Sequence, residues 1–445
     1  MIARFLPIFA IVATLMLCRA SPAQVRVLTL DEAVRMALVD HPSIQAARLD
    51  SSAAKESEGV ALAGFLPQVG LAAAYQRTTA NFSYQPGITE VAQTPRSNSG
   101  ATYNYFVFGA TLVQPIWDFG RTLGAYRAAQ AQTVGARLGV EVSMLDRWAS
   151  VVAQYYGVLA AQRLVEVATR TRDAVKRHAE VSEAFYKVGS RPRLDMVRAR
   201  AEAAAAEGAL GVATQGLDLA RSALLTAIGM EQRFAYTVAP VGTNLAGPMP
   251  ELEAAVTEAL ARRPERERLK AGVTAAEARV TQVMGDWFPF LTAGMGLTDA
   301  GTRINQMAWN WNVNVGLSYP VFSGLATWRA YRAAKLGLEA MKTRMKEFDL
   351  TVRAEVEQAR LRVVETTARL VPLQAGVEAA KEALRLAEER YKAGEGNAVE
   401  FMDARRGSAD AETEIVRAEY DIGLAWTALK RALGSMPVHA EAGAN

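Results

Sequence analysis

The chain says most things twice, and this limits it to folds built from two copies of one unit. "EAVRMALVDHP" at 32–42 resembles "AAVTEALARRP" at 254–264: Ala33, Leu38 and Pro42 match Ala255, Leu260 and Pro264 at an offset of 222. Pro67 matches Pro289 at the same offset. Further on the offset is 205. "QPIWDFG" (114–120) matches "YPVFSG" (319–324) less one residue, and "YRAA" at 126–129 recurs at 331–334. "YKVG" (186–189) matches "YKAG" (391–394), and "TAIG" (226–229) matches "RALG" (431–434). The offset shrinks by 17 between Pro67–Pro115 and Pro289–Pro320, so the first copy has the longer insert there.

Each copy reads helix, strand, strand, long helix, turn, helix. In the first, Thr29 caps an opening helix whose positive end suits Asp31 and Glu32, and Pro67 stops it. A strand then alternates Val69, Leu71, Ala73 and Tyr75 with Gln68, Gly70, Ala72 and Gln76. "NYFVFGATLVQP" (104–115) returns with Phe106, Phe108, Ala110 and Leu112 on one face, after a polar loop at about 78–101. In the second copy "PFLTAGMGLT" (289–298) goes up and "WNWNVNVGLSYP" (309–320) comes down. The latter carries Trp309, Trp311, Val313, Val315, Leu317 and Tyr319 against Asn310, Asn312, Asn314, Gly316, Ser318 and Pro320. After Gly120 the pattern stays helical to Tyr186, a length of roughly 100 Å at 1.5 Å per residue. Such a helix needs coiled-coil-like neighbours.

The N-terminus reads as a secretory signal over 1–23: Arg4, the apolar run 5–18, and "SPA" before a cut at Gln24. Cys18, the only cysteine, lies in that signal, so disulfide chemistry is not expected. A lipid-anchored Cys18 is the alternative, against which Leu17 counts, since lipoprotein signals take a small residue there. The formal charge is +4, of which Arg4 and Arg19 belong to the signal, and the balanced remainder carries no nucleic-acid footprint. The expected mature chain has no apolar run of about 18 residues, so a membrane-bound form must use strands.

The strands have the length a tilted strand needs to cross a bilayer. Trp309, Trp311, Phe106, Tyr319 and Tyr105 sit near strand ends, as interfacial aromatics do. Trp309, Trp311, Val313, Val315, Leu317, Phe106 and Phe108 are expected to face lipid. Four strands cannot close, and open edges are not tolerated in lipid, so several chains must share one barrel. The alternative is a small soluble sheet packed on helices.

"LTLDEAVRMALVDHPSIQAAR", "QPIWDFGR", the paired "YKxG" turns and "AWTALKRALG" (425–434) resemble the TolC-type outer-membrane efflux proteins over nearly the whole expected mature chain. The resemblance implies an α+β membrane protein. Three chains, each giving four strands, would build a 12-stranded transmembrane β-barrel continued by a long α-helical periplasmic barrel, from two tandem structural repeats. Repeat one spans 24–229 (hairpin 66–116, tip 188–195) and repeat two 251–434 (hairpin 288–320, tip 393–400). A linker at 230–250 and a flexible tail at 435–445 complete the chain. The implied function is the Gram-negative outer-membrane channel of a tripartite efflux or type I secretion system. The implied partners are two further copies of the chain, outer-membrane lipid, a periplasmic adaptor (membrane fusion protein) and an inner-membrane pump of RND or ABC type. A non-conducting trimeric helical scaffold in the periplasm or at the surface is the alternative.

The resemblance also assigns the tips. Val188, Gly189, Ser190 and Arg191, with Ala393, Gly394 and Glu395, would engage the adaptor. Glu400 and Asp403, on one helix face, would form an acidic ring that attracts cations and is blocked by multivalent ones. Asn397 three residues before Glu400 also reads as a capping box, in which Glu400 only serves the helix start. Tyr391 and Asp195 would form the closing contact. Where some members have an Arg five residues after that Tyr, this chain has Gly396, and Arg191 or Arg193 is the candidate substitute. No nucleophile motif, phosphate loop or dinucleotide fingerprint occurs, and His41, His178 and His439 lack ligand spacing, so neither enzyme activity nor a cofactor or metal is expected.

Overall fold

The computed structural model describes residues 26–79, 102–230, 236–240, 247–393 and 395–436. The signal with Cys18, the loop after Thr79, Gly394, parts of the 230–250 segment and the tail from 437 lie outside the described residues. In order the elements are β1 (Arg26–Leu28), α1 (Leu30–Asp40), α2 (Pro42–Leu62), β2 (Gln68–Thr79), β3 (Thr102–Trp117), α3 (Arg121–Lys187) and α4 (Arg193–Ile228). There follow β4 (Tyr236–Val238), α5 (Leu252–Arg262), α6 (Pro264–Met284), β5 (Phe290–Gly301), β6 (Ala308–Ser318), α7 (Ala326–Ala393) and α8 (Ala398–Ala432). Lengths agree in pairs: α1 and α5 have 11 residues, α2 and α6 have 21, and α3 and α7 have 67 and 68.

Proline sets the first break in each half. The opening helix is two helices, because Pro42 and Pro264 force the preceding residue to extended backbone: His41 has ψ 129° and Arg263 ψ 119°. Thr29 caps α1 by accepting from the Glu32 amide at 3.3 Å.

The chain forms two compact units. One comprises residues up to Ala46, Glu141–Arg263 and Leu350 onwards. Its core runs along α3, where Leu145, Trp148, Val152, Tyr155 and Leu159 recur at helical spacing and are buried. Short β1 pairs in parallel with β4, Leu28 opposite Val238. The Tyr155 hydroxyl donates to the carbonyls of Leu28 (2.9 Å) and Ala239 (2.8 Å), tying both strands to α3. This pair of three-residue strands lies at positions read from the sequence as leader-adjacent chain and linker. Arg263 is fully buried and donates to the Ala432 carbonyl at 2.7 Å and to Glu355 at 2.5 Å.

The other unit, Ala47–Val140 with Pro264–Asp349, holds an antiparallel sheet in the order β2-β3-β5-β6. Its register lines up Val69, Leu71, Ala73 and Tyr75 with Leu112, Ala110, Phe108 and Phe106. These continue through Met295 and Leu297 to Val313 and Trp311 on the same face. The apolar residues of β6 are open to solvent in the single chain, Trp309 at 71 % and Leu317 at 67 %. Phe108 is exposed and Phe106 half-buried, its ring tilted against that of Tyr75 at 5.1 Å. Across β5 and β6 the opposite face is small and polar, with Asn312 and Asn314 lying across Gly296 and Gly294. A Cβ at Gly294 would stand 2.5 Å from the Asn314 Oδ1, so a larger residue there would make the Asn314 side chain swing aside.

Tyr105 corrects the sequence reading. One residue from Phe106, it lies on the opposite face across from Gln76 and is 7 % exposed, so it is no interfacial aromatic. Both strand-to-helix turns pass through two successive left-handed residues, Phe119–Gly120 and Gly324–Leu325. In the first, Phe119 stacks on Phe288 at 4.9 Å and Arg121 pairs with Asp286 at 2.7 Å.

Candidate functional site at the helical tips

The two helix-to-helix turns of the first unit carry the candidate site. At the first, Gly189 takes φ +71°, letting the Ser190 amide reach the Phe185 carbonyl at 2.9 Å and close α3. Pro192 precedes α4 at φ −65°. At the second, the amides of Glu395 and Gly396 both donate to the Arg390 carbonyl, at 3.0 and 2.9 Å. A Cβ at Gly396 would meet the Tyr391 nitrogen at 3.0 Å, so a larger residue here would push on the turn. Val188, Gly189, Ser190, Ala393 and Glu395 are exposed, and Arg191 is half-buried.

Arg191 joins the turns. Its guanidinium donates to the Tyr391 carbonyl at 3.1 Å and lies 4.9 Å over the Tyr391 ring. Tyr391 and Asp195 do not hydrogen-bond within the chain: the Tyr391 hydroxyl is buried without a partner. The ring is instead held in an aromatic box, stacked on Phe401 at 5.4 Å and met edge-on by His178 at 5.3 Å. Ala387 and Ala398 complete this core. The sequence reading left Phe401 and His178 out of the tip, although "YKAG" and "AVEF" place two aromatics astride the turn.

Charge surrounds the box. Burial, and then the nearby Arg405, push the His178 pKa down to about 4, so the imidazole is neutral at pH 7. Arg405 lies 4.5 Å over the Phe401 ring, and burial lowers its pKa. Burial raises that of Glu202.

Asn397 caps α8, its side chain accepting from the Glu400 amide at 2.8 Å. The Glu400 carboxylate pairs with Arg390 at 2.5 Å across the turn, both side chains remaining partly open to solvent. Asp403, one turn on, is exposed. Among the described residues no three His, Cys, Asp or Glu side chains gather as a metal site, and no helix is long and apolar enough to cross a membrane.

Comparison with known proteins gives this geometry its setting. The family model described as outer membrane efflux protein matches residues 33–230 and 255–435. The outer membrane efflux protein BepC of Brucella suis is 23% identical over 367 residues, covering 80% of this chain and 78% of its own. The pyoverdine export outer membrane protein OpmQ of Pseudomonas putida is 25% identical over 411 residues, covering 91% and 85%. The CmeC outer membrane channel of Campylobacter jejuni superposes with a TM-score of 0.80 at 18% identity, over 91% of this chain and 85% of that one. An apolar-faced sheet and paired long helices in one chain are thus the parts of a protein that sits in the Gram-negative outer membrane and reaches into the periplasm, and the chain belongs to the outer membrane efflux protein family.

Proposed function

We propose that the chain is the outer-membrane duct of a tripartite efflux or type I secretion assembly, a homotrimer that receives cargo from an inner-membrane pump of RND or ABC type through a periplasmic adaptor. The observation that carries this reading is the sheet: one apolar face, an opposite face that is small and polar across β5 and β6, and edges at β2 and β6 without a partner strand among the described residues. Lipid admits no open edge, so the edges must meet other chains. With four strands from each of three chains, the apolar face borders lipid and the Asn–Gly face lines the lumen. Repeats 24–229 and 251–434, each with its hairpin and tip, supply the two halves. The pairwise element lengths support that tandem reading.

The tips form the gate and the adaptor-contacting end, with Gly189, Ser190, Arg191 and Glu395 foremost. Asp403 is the main charge of the acidic ring, and Glu400 contributes less because Arg390 faces it. Arg191 takes the closing role first assigned to Tyr391 and Asp195. Planar-bilayer recording tests this. Glu400→Gln with Asp403→Asn should abolish cation preference and divalent block, with Asp403→Asn alone giving most of the loss. Arg191→Ala should raise conductance, whereas Tyr391→Phe should leave it nearly unchanged. Unaltered selectivity in the double variant would remove the gate from these residues.

A further inference from the structure

Two adjacent tyrosines of α3 are buried, and they differ in what their hydroxyls meet. That of Tyr155 is bonded to the carbonyls of Leu28 and Ala239. Tyr156 is 4 % exposed, and its hydroxyl has no hydrogen-bond partner. Burial, and then nearby Tyr420, push the Tyr156 pKa up to about 12, so the group keeps its proton at pH 7 and remains a donor. Buried donors are nearly always paired, because an unpaired one has given up its hydrogen bond to water and gained none in return.

The Tyr156 ring reaches α8, where a Cβ at Gly423 would stand 2.8 Å from its Cζ, so the hydroxyl end of the ring lies against bare helix backbone. There Tyr156 and Gly423 border a cavity of about 840 Å³, within the size range of small-molecule sites. Its other walls include Met249, Val363, Val364, Tyr420, Ile422 and Trp426. The rings of Tyr156 and Tyr420 are 6.3 Å apart. All these walls belong to one unit of the chain. The Arg360 side chain donates to the Pro250 carbonyl at 3.1 Å and so ties the segment carrying Met249 to α7. Within α7, Pro372 has no amide hydrogen to give to the carbonyl of Ala368, which borders the same cavity. Glu419, the one charged residue among the described residues of the lining, is exposed.

We propose that this cavity is a binding site for an uncharged aromatic small molecule whose carbonyl or ether oxygen accepts a hydrogen bond from Tyr156. The aromatic walls suit a flat ring, and Met249 adapts to its outline. A charged ligand would lose its hydration against Val363, Ile422 and Trp426 without a buried partner for its charge. A hydrocarbon would fill the space and leave the Tyr156 hydroxyl as unpaired as before. The oxygen atom therefore sets the selectivity. The site uses no residue of the tips or of the sheet, and it rests on neither the gate nor the barrel.

Benzophenone is the probe: an uncharged diaryl ketone that inserts into neighbouring C–H bonds under near-ultraviolet light. The full chain in its membrane is irradiated at rising benzophenone concentration, and labelled peptides are quantified by mass spectrometry. The apolar face of β6 reports labelling from the surrounding apolar phase. Label on the peptides carrying Met249 and Ile422 should saturate, while label on β6 should keep rising. Tyr156→Phe keeps the ring and removes the donor, so it should weaken the saturable labelling about 2- to 10-fold. The same variant should not lower the thermal unfolding temperature of the free protein, since the hydroxyl it removes makes no internal bond. Val364→Trp, at an exposed position of the wall, should fill the cavity and abolish saturable labelling. Labelling of these peptides that never saturates, or that saturates alike in Tyr156→Phe, overturns the proposal. So does a Tyr156→Phe protein that unfolds at lower temperature, because its hydroxyl would then have had a partner within the fold. Each of these failures leaves the duct reading standing.

Discussion

The two units of this chain treat apolar side chains in opposite ways. In the unit around α3, Tyr155, Val151, Val158 and Leu145 lose nearly all exposure, and even Arg263 is sealed in with its hydrogen bonds made. In the sheet unit, Trp309, Trp311, Val313, Val315 and Leu317 lie side by side and stay open to whatever surrounds the chain. The first has its apolar solvent inside the chain. The second, at its strands, does not. A stripe of β-branched and aromatic residues is therefore no guide to a core until the number of strands available to cover it is counted.

The largest effect should come from charging the open face. Val313→Arg should cost about 2–4 kcal/mol near the bilayer midplane and remove most assembled protein from the outer-membrane fraction. Asn312→Arg, on the opposite face, should be tolerated. Equal loss in both would mean that the faces do not differ in solvent. Next is the closed core. Arg263→Ala removes two charge-assisted hydrogen bonds and frees the Ala432 carbonyl, so thermal unfolding should shift by about 1.5–3 kcal/mol, with Glu355 kept partly solvated.

Third is the acid response of the tip. An unfolded His178 takes a proton near its ordinary value of 6.5, the folded one only near 4, so stability present above pH 6.5 is lost as pH falls through that window. Ser182, Arg405, Glu388 and Asp195 surround the group. Protease sensitivity of the turns at 188–192 and 395–397 should rise between pH 7 and 4.5, and His178→Gln should flatten the rise. The smallest effect belongs to Thr29→Ala, which removes one exposed cap and should cost about 0.5–1 kcal/mol in chemical denaturation.

Much of this was legible in the residues. The duplication fixes which elements recur, the period-two runs mark the strands, and Gly189 marks a turn that only a left-handed residue closes easily. The open face of β6 was legible because alternation is a local property. What escaped depends on distant chain. β1 and β4 are three residues each, too short for a period, and they exist because Tyr155 and each other's backbones hold them. Tyr105 reads as a membrane aromatic until the register assigns its face. The pairing of Arg390 with Glu400 is invisible in a motif, since it joins two helices across a turn.

The central claim is that the open apolar face borders lipid in a barrel several copies share. The most direct test is the mass of the detergent-extracted protein, corrected for bound detergent. The account predicts a membrane-derived particle of three chains. A water-soluble monomer would contradict it, because the Trp309–Leu317 face would then have to be covered within one chain.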